Sequence, residues 1–156
     1  MEDSEMKLDS IDKVLDFAIE KEQDAADFYT GLAGKMGKPF MKDIFEQFAL
    51  EEKSHKAKLE QVKKGNLDLS PIDQKINDLK IAEMVANVDL EGDFDYQQAL
   101  IVAMKNEKAS FKLYTDLAGM VDDPKLKEFF LGLAQEEAKH KLRFEVAYDD
   151  DILKEN

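Results

Sequence analysis

Displaced by 85 positions, the sequence matches itself. Residues 10–62 lie over 95–147 without a gap, and seventeen of those fifty-three positions are identical. Unrelated segments would share about three, so the chain is an internal duplication. The identities include Leu15/Leu100, Ala18/Ala103, Glu22/Glu107, Pro39/Pro124, Phe45/Phe130, Glu52/Glu137 and His55/His140, with "YTGLAG" over "YTDLAG". A duplication of this size restricts the fold strongly. Each copy must be one supersecondary unit, and the two units must bury their apolar faces against each other.

Each copy reads as a pair of helices. Ser10 and Asp95 stand at N-cap positions, and Gln98 three residues beyond Asp95 completes a capping box. Pro39 and Pro124 open the second helix of each copy, the latter behind Asp123 as its cap. The pattern predicts helices over 10–36, 39–64, 95–121 and 124–148, joined within each copy by a short break that makes an antiparallel hairpin. Residues 65–94 differ. They begin Gly65-Asn66, pass Ser70-Pro71 and carry an amphipathic piece with Ile72, Ile76 and Leu79. Some thirty residues are far more than an up-down connection needs, so 65–94 is expected to cross the length of the bundle. The expected fold class is all-α: one domain over 1–156, a ferritin-like four-helix bundle of hairpins 10–64 and 95–148 joined by that single long crossover.

Composition narrows the function classes. A net charge of −13 argues against a nucleic-acid surface, which needs clustered Lys and Arg. The absence of cysteine excludes disulfides, thiolate metal sites and thiol nucleophiles from these residues. The acidic start "MEDSEMKLDS" lacks the apolar segment of a signal peptide, and no apolar run has the length of a membrane span. A cytoplasmic protein without membrane or nucleic-acid partners is expected.

Helical periodicity places unusual residues in the core. The inward stripes run Leu15, Ala18, Glu22, Ala25, Tyr29, Leu32, Met36; then Met41, Phe45, Phe48, Glu52, His55, Leu59, Val62. In the second copy they run Leu100, Ala103, Glu107, Ser110, Tyr114, Leu117, Val121; then Leu126, Phe130, Leu133, Glu137, His140, Phe144, Ala147. Every stripe is apolar or small except near its middle. Glu51 and Glu136 sit about 100° around their helices and are expected to be solvated, like Glu20, Asp24 and Asp27. Four buried carboxylates would each cost several kcal/mol and repel one another. Two divalent cations remove the difficulty, because four negative charges meet four positive ones with both imidazoles neutral. Carboxylate and imidazole ligands suit iron or manganese. A single Glu-x-x-His on a helix carries little information. Two such motifs and two lone glutamates, on four core stripes at one depth, predict a dimetal site of Glu22, Glu52, His55, Glu107, Glu137 and His140. Tyr29 and Tyr114 are core aromatics whose phenols could hydrogen-bond a ligand carboxylate.

The stretches "EKEQDAADFYTGLA", "FALEEKSHKAKLE", "KNEKASFKLYTDLA" and "LAQEEAKHKLRFE" cover the middle of all four helices. At these residues the chain resembles the rubrerythrin-like branch of the ferritin-like superfamily. The resemblance implies two iron ions, with manganese or a mixed pair as alternatives. Glu52 and Glu137 would bridge them, Glu22 and Glu107 would be terminal ligands, and His55 and His140 would each cap one ion. Two departures stand out. The chain lacks the cysteines of the rubredoxin-type domain that delivers electrons in rubrerythrins, and Ser110 occupies the place of their extra carboxylate ligand.

The implied function is a non-haem diiron oxidoreductase that reduces hydrogen peroxide or O2, or oxidises Fe2+. Its electrons would come from a separate donor protein or free iron. Two other readings accompany it: a ferritin-like iron storage or handling protein, which would require a homo-oligomer enclosing a cavity, and a non-catalytic metal-stabilised interaction module.

Overall fold

The computed structural model describes residues 10–65 and 95–155. Among these it contains the helices α1 (Ile11–Gly34), α2 (Pro39–Lys63), α3 (Tyr96–Met120) and α4 (Pro124–Glu155). The caps form as the sequence suggests. The Ser10 side chain accepts from the Lys13 amide, and Asp95 and Gln98 make both halves of a capping box. Asp123 Oδ1 accepts from the amides of Lys125 and Leu126. Gly65, at φ 95°, closes α2 in a conformation that L side chains rarely adopt. The first three helices end within two residues of expectation, but α4 runs seven residues past 148. No Gly or Pro interrupts 148–155, and the Gln97 amide at the start of α3 donates to Asp151 at 3.2 Å, which secures the extra turns.

Pairing between helices fixes the topology. Lys63 meets Asp16 at 2.5 Å and Lys56 meets Gln23 at 2.8 Å, so α1 and α2 are antiparallel. Tyr29 bonds Glu107 and Tyr114 bonds Glu22, so α1 and α3 are antiparallel too. Arg143 on Glu51 at 3.1 Å and His55 against Glu137 at 3.7 Å set the same relation between α2 and α4. It follows that α2 finishes where α1 starts, whereas α3 starts where α1 finishes, with Tyr96 edge-on to Phe40 and Phe45. The two chain ends that the crossover must join are separated by a helix length, roughly 37 Å. From residue 66 onward the expected crossover 65–94, with Ile72, Ile76 and Leu79, lies outside the described residues, as do residues 1–9. The all-α four-helix bundle itself is what is seen. No helix among the described residues is long and apolar enough to cross a membrane.

The core is split by a polar layer. One apolar cluster gathers Leu15, Leu59, Tyr114, Leu117, Phe130 and Leu133. The other gathers Tyr29, Phe45, Phe48, Leu100, Ala103 and Phe144, and is rich in stacked rings. All the inward stripe residues are buried except Met41, Ser110 and Ala147, which are half-buried. Between the two clusters lie the acids and histidines.

Candidate metal centre

Four helices each bring one carboxylate to the same level: Glu22 from α1, Glu52 from α2, Glu107 from α3 and Glu137 from α4. All four, with His55 and His140, are at most 3% exposed. The histidines sit one helical turn beyond Glu52 and Glu137, so each imidazole lies against its own helix's acid, at 3.1 Å for His55 Nδ1 and 3.2 Å for His140 Nδ1. Their rings are parallel within 2°, centroids 5.6 Å apart.

The six residues form two overlapping sets. Glu22, Glu52, His55 and Glu137 bring one ligand atom each within 4.8 Å of one another, and so do Glu52, Glu107, Glu137 and His140. Glu52 and Glu137 belong to both. The sequence-predicted residues are therefore brought together, in an arrangement that could hold two ions sharing two carboxylates.

Whether these residues fit cations is answered by their unmet polar groups. Nine buried side-chain atoms among the described residues make no hydrogen bond, and eight belong to these six residues. Both oxygens of Glu52 and of Glu137 are among them, as are the Nδ1 atoms of both histidines. Each orphaned buried polar atom costs about 1–3 kcal/mol, so a fold tolerates such a concentration only where something else satisfies it. Oxygen and imidazole nitrogen lone pairs converging from four sides are a divalent-cation donor set.

The electrostatics show the same strain. Burial raises the pKa of Glu22, Glu52 and Glu137, and Glu137 goes well above the ordinary carboxylate range because burial is reinforced by Glu107, Glu52 and Glu22. Burial works against a charged His55, but Glu22 and Glu52 outweigh it and push its pKa up to about 10. His140 is raised too: burial opposes its charge and Glu107 outweighs it. The polar layer without a cation thus accumulates protons.

The tyrosines prove to be more than filler. Tyr29 donates to Glu107 and Tyr114 to Glu22, so each phenol holds the lone acid of the other repeat. Neither could serve its own helix, because seven residues of rise carry it about 10 Å past its own glutamate. Burial and the nearby carboxylates hold both phenols' pKa values well above the ordinary range, which keeps them donors. Asn106 adds a further bond to the Tyr29 hydroxyl at 3.2 Å.

One expectation needs correction. Glu51 is not simply solvated: its Oε1 lies 2.7 Å from His140 Nε2, and Arg143 Nη1 donates to both its oxygens. Burial raises the Glu51 pKa, but Arg143 and His140 outweigh it and the net shift is downward. Periodicity missed this because Glu51 points toward α4 rather than to the bundle axis; its repetition as Glu136 was the available signal. Glu136 remains half-exposed beside Lys139, and Glu20, Asp24 and Asp27 are exposed as expected.

A protein-family model described as Rubrerythrin matches residues 13–148, which includes all six residues of the centre. No curated protein and no solved structure matches the chain.

Proposed function

Since the chain belongs to the rubrerythrin family, we propose that it is a diiron carboxylate oxidoreductase acting on hydrogen peroxide or O2, with oxidation of Fe2+ as a related activity. The observation that carries this reading is the pair of buried four-residue sets sharing Glu52 and Glu137. By the resemblance, Glu52 and Glu137 would bridge the ions, Glu22 and Glu107 would be terminal, and His55 and His140 would cap one ion each. Bound there as Fe2+, the two ions would supply the two electrons that, with two protons, convert hydrogen peroxide to two waters.

The protein's own contribution is ligand placement and exclusion of water. Tyr29 and Tyr114 each hold one oxygen of a terminal acid and leave the other, Glu107 Oε1 and Glu22 Oε1, without a hydrogen bond. A carboxylate pinned at one oxygen presents the second in a fixed direction, so little ordering remains when an ion arrives. Phe48 and Phe144 in one flanking apolar cluster and Leu133 in the other are buried, which limits water beside the layer. In this reading a donor protein or free Fe2+ reduces the site.

The test is anaerobic loading with two Fe2+ per chain, followed by stopped-flow mixing with peroxide, O2 or excess Fe2+ plus O2. Oxidation of the two bound ions by peroxide or O2, repeatable after re-reduction with an added chemical reductant, supports the oxidoreductase. Rapid consumption of excess Fe2+ by a large hollow oligomer, seen in light scattering, would move the assignment to iron storage. No turnover with any of them would leave a metal-stabilised interaction module.

Ser110 supplies a sharper expectation. It lies one turn beyond Glu107 on α3, half-buried, and serine is a weak, short ligand. With a symmetric ligand set, the native protein is expected to favour peroxide over O2 only modestly. Ser110→Glu adds a carboxylate on that face and should raise the ratio of the two second-order rate constants by roughly tenfold, about 1.4 kcal/mol in relative barrier. A native protein already favouring peroxide by orders of magnitude would show that position 110 does not control the choice.

A further inference from the structure

The two halves of the centre descend from one repeat, yet their surroundings differ. Behind His140, Glu51 Oε1 accepts from the Nε2 side at 2.7 Å. Arg143 holds both oxygens of Glu51, at 3.3 and 3.1 Å, and its guanidinium lies 4.4 Å over the Phe48 ring. Phe48 in turn meets the His140 ring edge-on at 4.9 Å. His140 is thereby fixed from two directions, with Nδ1 toward the carboxylates.

At the repeat-equivalent positions around His55 the clamp is missing. Phe48 is replaced by Leu133, and Arg143 by the exposed Lys58. Glu136, the counterpart of Glu51, brings an oxygen within 4.8 Å of a nitrogen of His55 and of His140, but its ion pair is with Lys139 at 3.8 Å, where both side chains are largely exposed. An exposed lysine pair of that length fixes little. The same asymmetry extends to the terminal acids, since Tyr29 on Glu107 is itself held by Asn106, whereas the residue equivalent to Asn106 is Lys21, which lies over Phe17.

From this we infer that the two metal positions are inequivalent: the one built on Glu107 and His140 binds first and more tightly, and Glu51, braced by Arg143, is the positioning residue responsible. The inference rests on the dimetal reading. A carboxylate on the far nitrogen of a ligating histidine selects the tautomer whose other nitrogen carries the lone pair and makes that nitrogen a stronger donor. Bracing by Arg143 means that the ordering of Glu51 is complete before the ion binds.

Co2+ titration of the full-chain apo protein, read by the visible absorption of the bound ion, tests this. The native protein should take up two Co2+ in two steps whose Kd values differ at least about tenfold, with His140→Gln removing the tighter step and His55→Gln the weaker. Glu51→Ala should weaken the tighter step by roughly 10–100-fold while leaving the apo melting temperature within a few degrees. Glu51→Gln, which keeps an acceptor oxygen, should recover part of the loss, and Arg143→Gln should weaken the same step less. Glu136→Ala should move neither step by more than about threefold. Two equal steps in the native protein, or equal losses from Glu51→Ala and Glu136→Ala, would overturn the inference while leaving the dimetal centre standing. Uptake of fewer than two Co2+ per native chain would overturn the dimetal reading itself.

Discussion

Loading the apo protein with two equivalents of Fe2+ under argon, or of Mn2+, is expected to raise its Tm at neutral pH by roughly 20 °C. The size follows from linkage. An ion that binds only the folded chain contributes about 4 kcal/mol when its free concentration is 1,000 times Kd, so two ions contribute about 8. A chain of this length gains about 2–4 °C per kcal/mol. The gain should be large because the ligands are assembled only in the folded state: they come from four helices, and eight of their polar atoms are buried without hydrogen bonds. His55→Gln with His140→Gln should remove the rise, since each set loses its only nitrogen ligand. Differential scanning calorimetry with metal analysis of the same samples decides the matter. A Tm indifferent to metal, or a double variant that still holds two ions tightly, would mean that the polar layer is not a metal centre.

The second large effect belongs to the protein without metal, and it runs against the usual expectation for acids. Apo Glu137→Gln should be more stable than the native apo protein at pH 7, although it loses metal binding. Glu137 is completely buried, and burial with the charges of Glu107, Glu52 and Glu22 raises its pKa well above 4.5. The folded chain therefore holds a proton on Glu137 to higher pH than the unfolded chain does, and glutamine avoids that cost at similar volume. Glu22 and Glu52 are raised by burial in the same direction. For all three, folded and unfolded chains are equally protonated well below pH 4.5, and stability declines as pH rises above it. His55 adds to the slope over a higher range. Its pKa rises from 6.5 to about 10, so its stabilising contribution is complete below 6.5 and is lost as pH approaches 10. The apo Tm should consequently fall from pH 5 to pH 8. The metal-bound form should behave oppositely, since protons compete with the ions, and the two curves should converge toward pH 5. The advantage of Glu137→Gln should vanish near pH 4. An apo Tm that rises between pH 5 and 8, or a destabilised apo Glu137→Gln at pH 7, would show that these carboxylates are not mutually buried.

Much of this protein was legible in its sequence because the governing interactions are local or periodic. The caps Ser10, Asp95 and Asp123 and the prolines 39 and 124 act within one turn, so helix starts could be read directly. A period of 3.6 residues decides which residues share a face, so the burial of Glu22, Glu52, His55, Glu107, Glu137 and His140 followed from spacing alone. The duplication placed them at one depth. The end of α4 was misjudged because its last turns are held by a bond from Gln97 to Asp151, 54 residues away in the chain.

What only the tertiary structure decided is which residues meet across helices. Spacing puts Tyr29 on the core stripe without naming the carboxylate it meets; antiparallel packing of α1 on α3 delivers it to Glu107 and delivers Tyr114 to Glu22. Spacing turns Glu51 away from the bundle axis, but α4 passes close enough for His140 and Arg143 to capture it. A helical wheel gives direction around one axis and carries no information about the relative height of two. That height is set by how the side chains of both apolar clusters interdigitate, which fixes the partners of each ligand and makes the two halves of a repeated sequence chemically unequal.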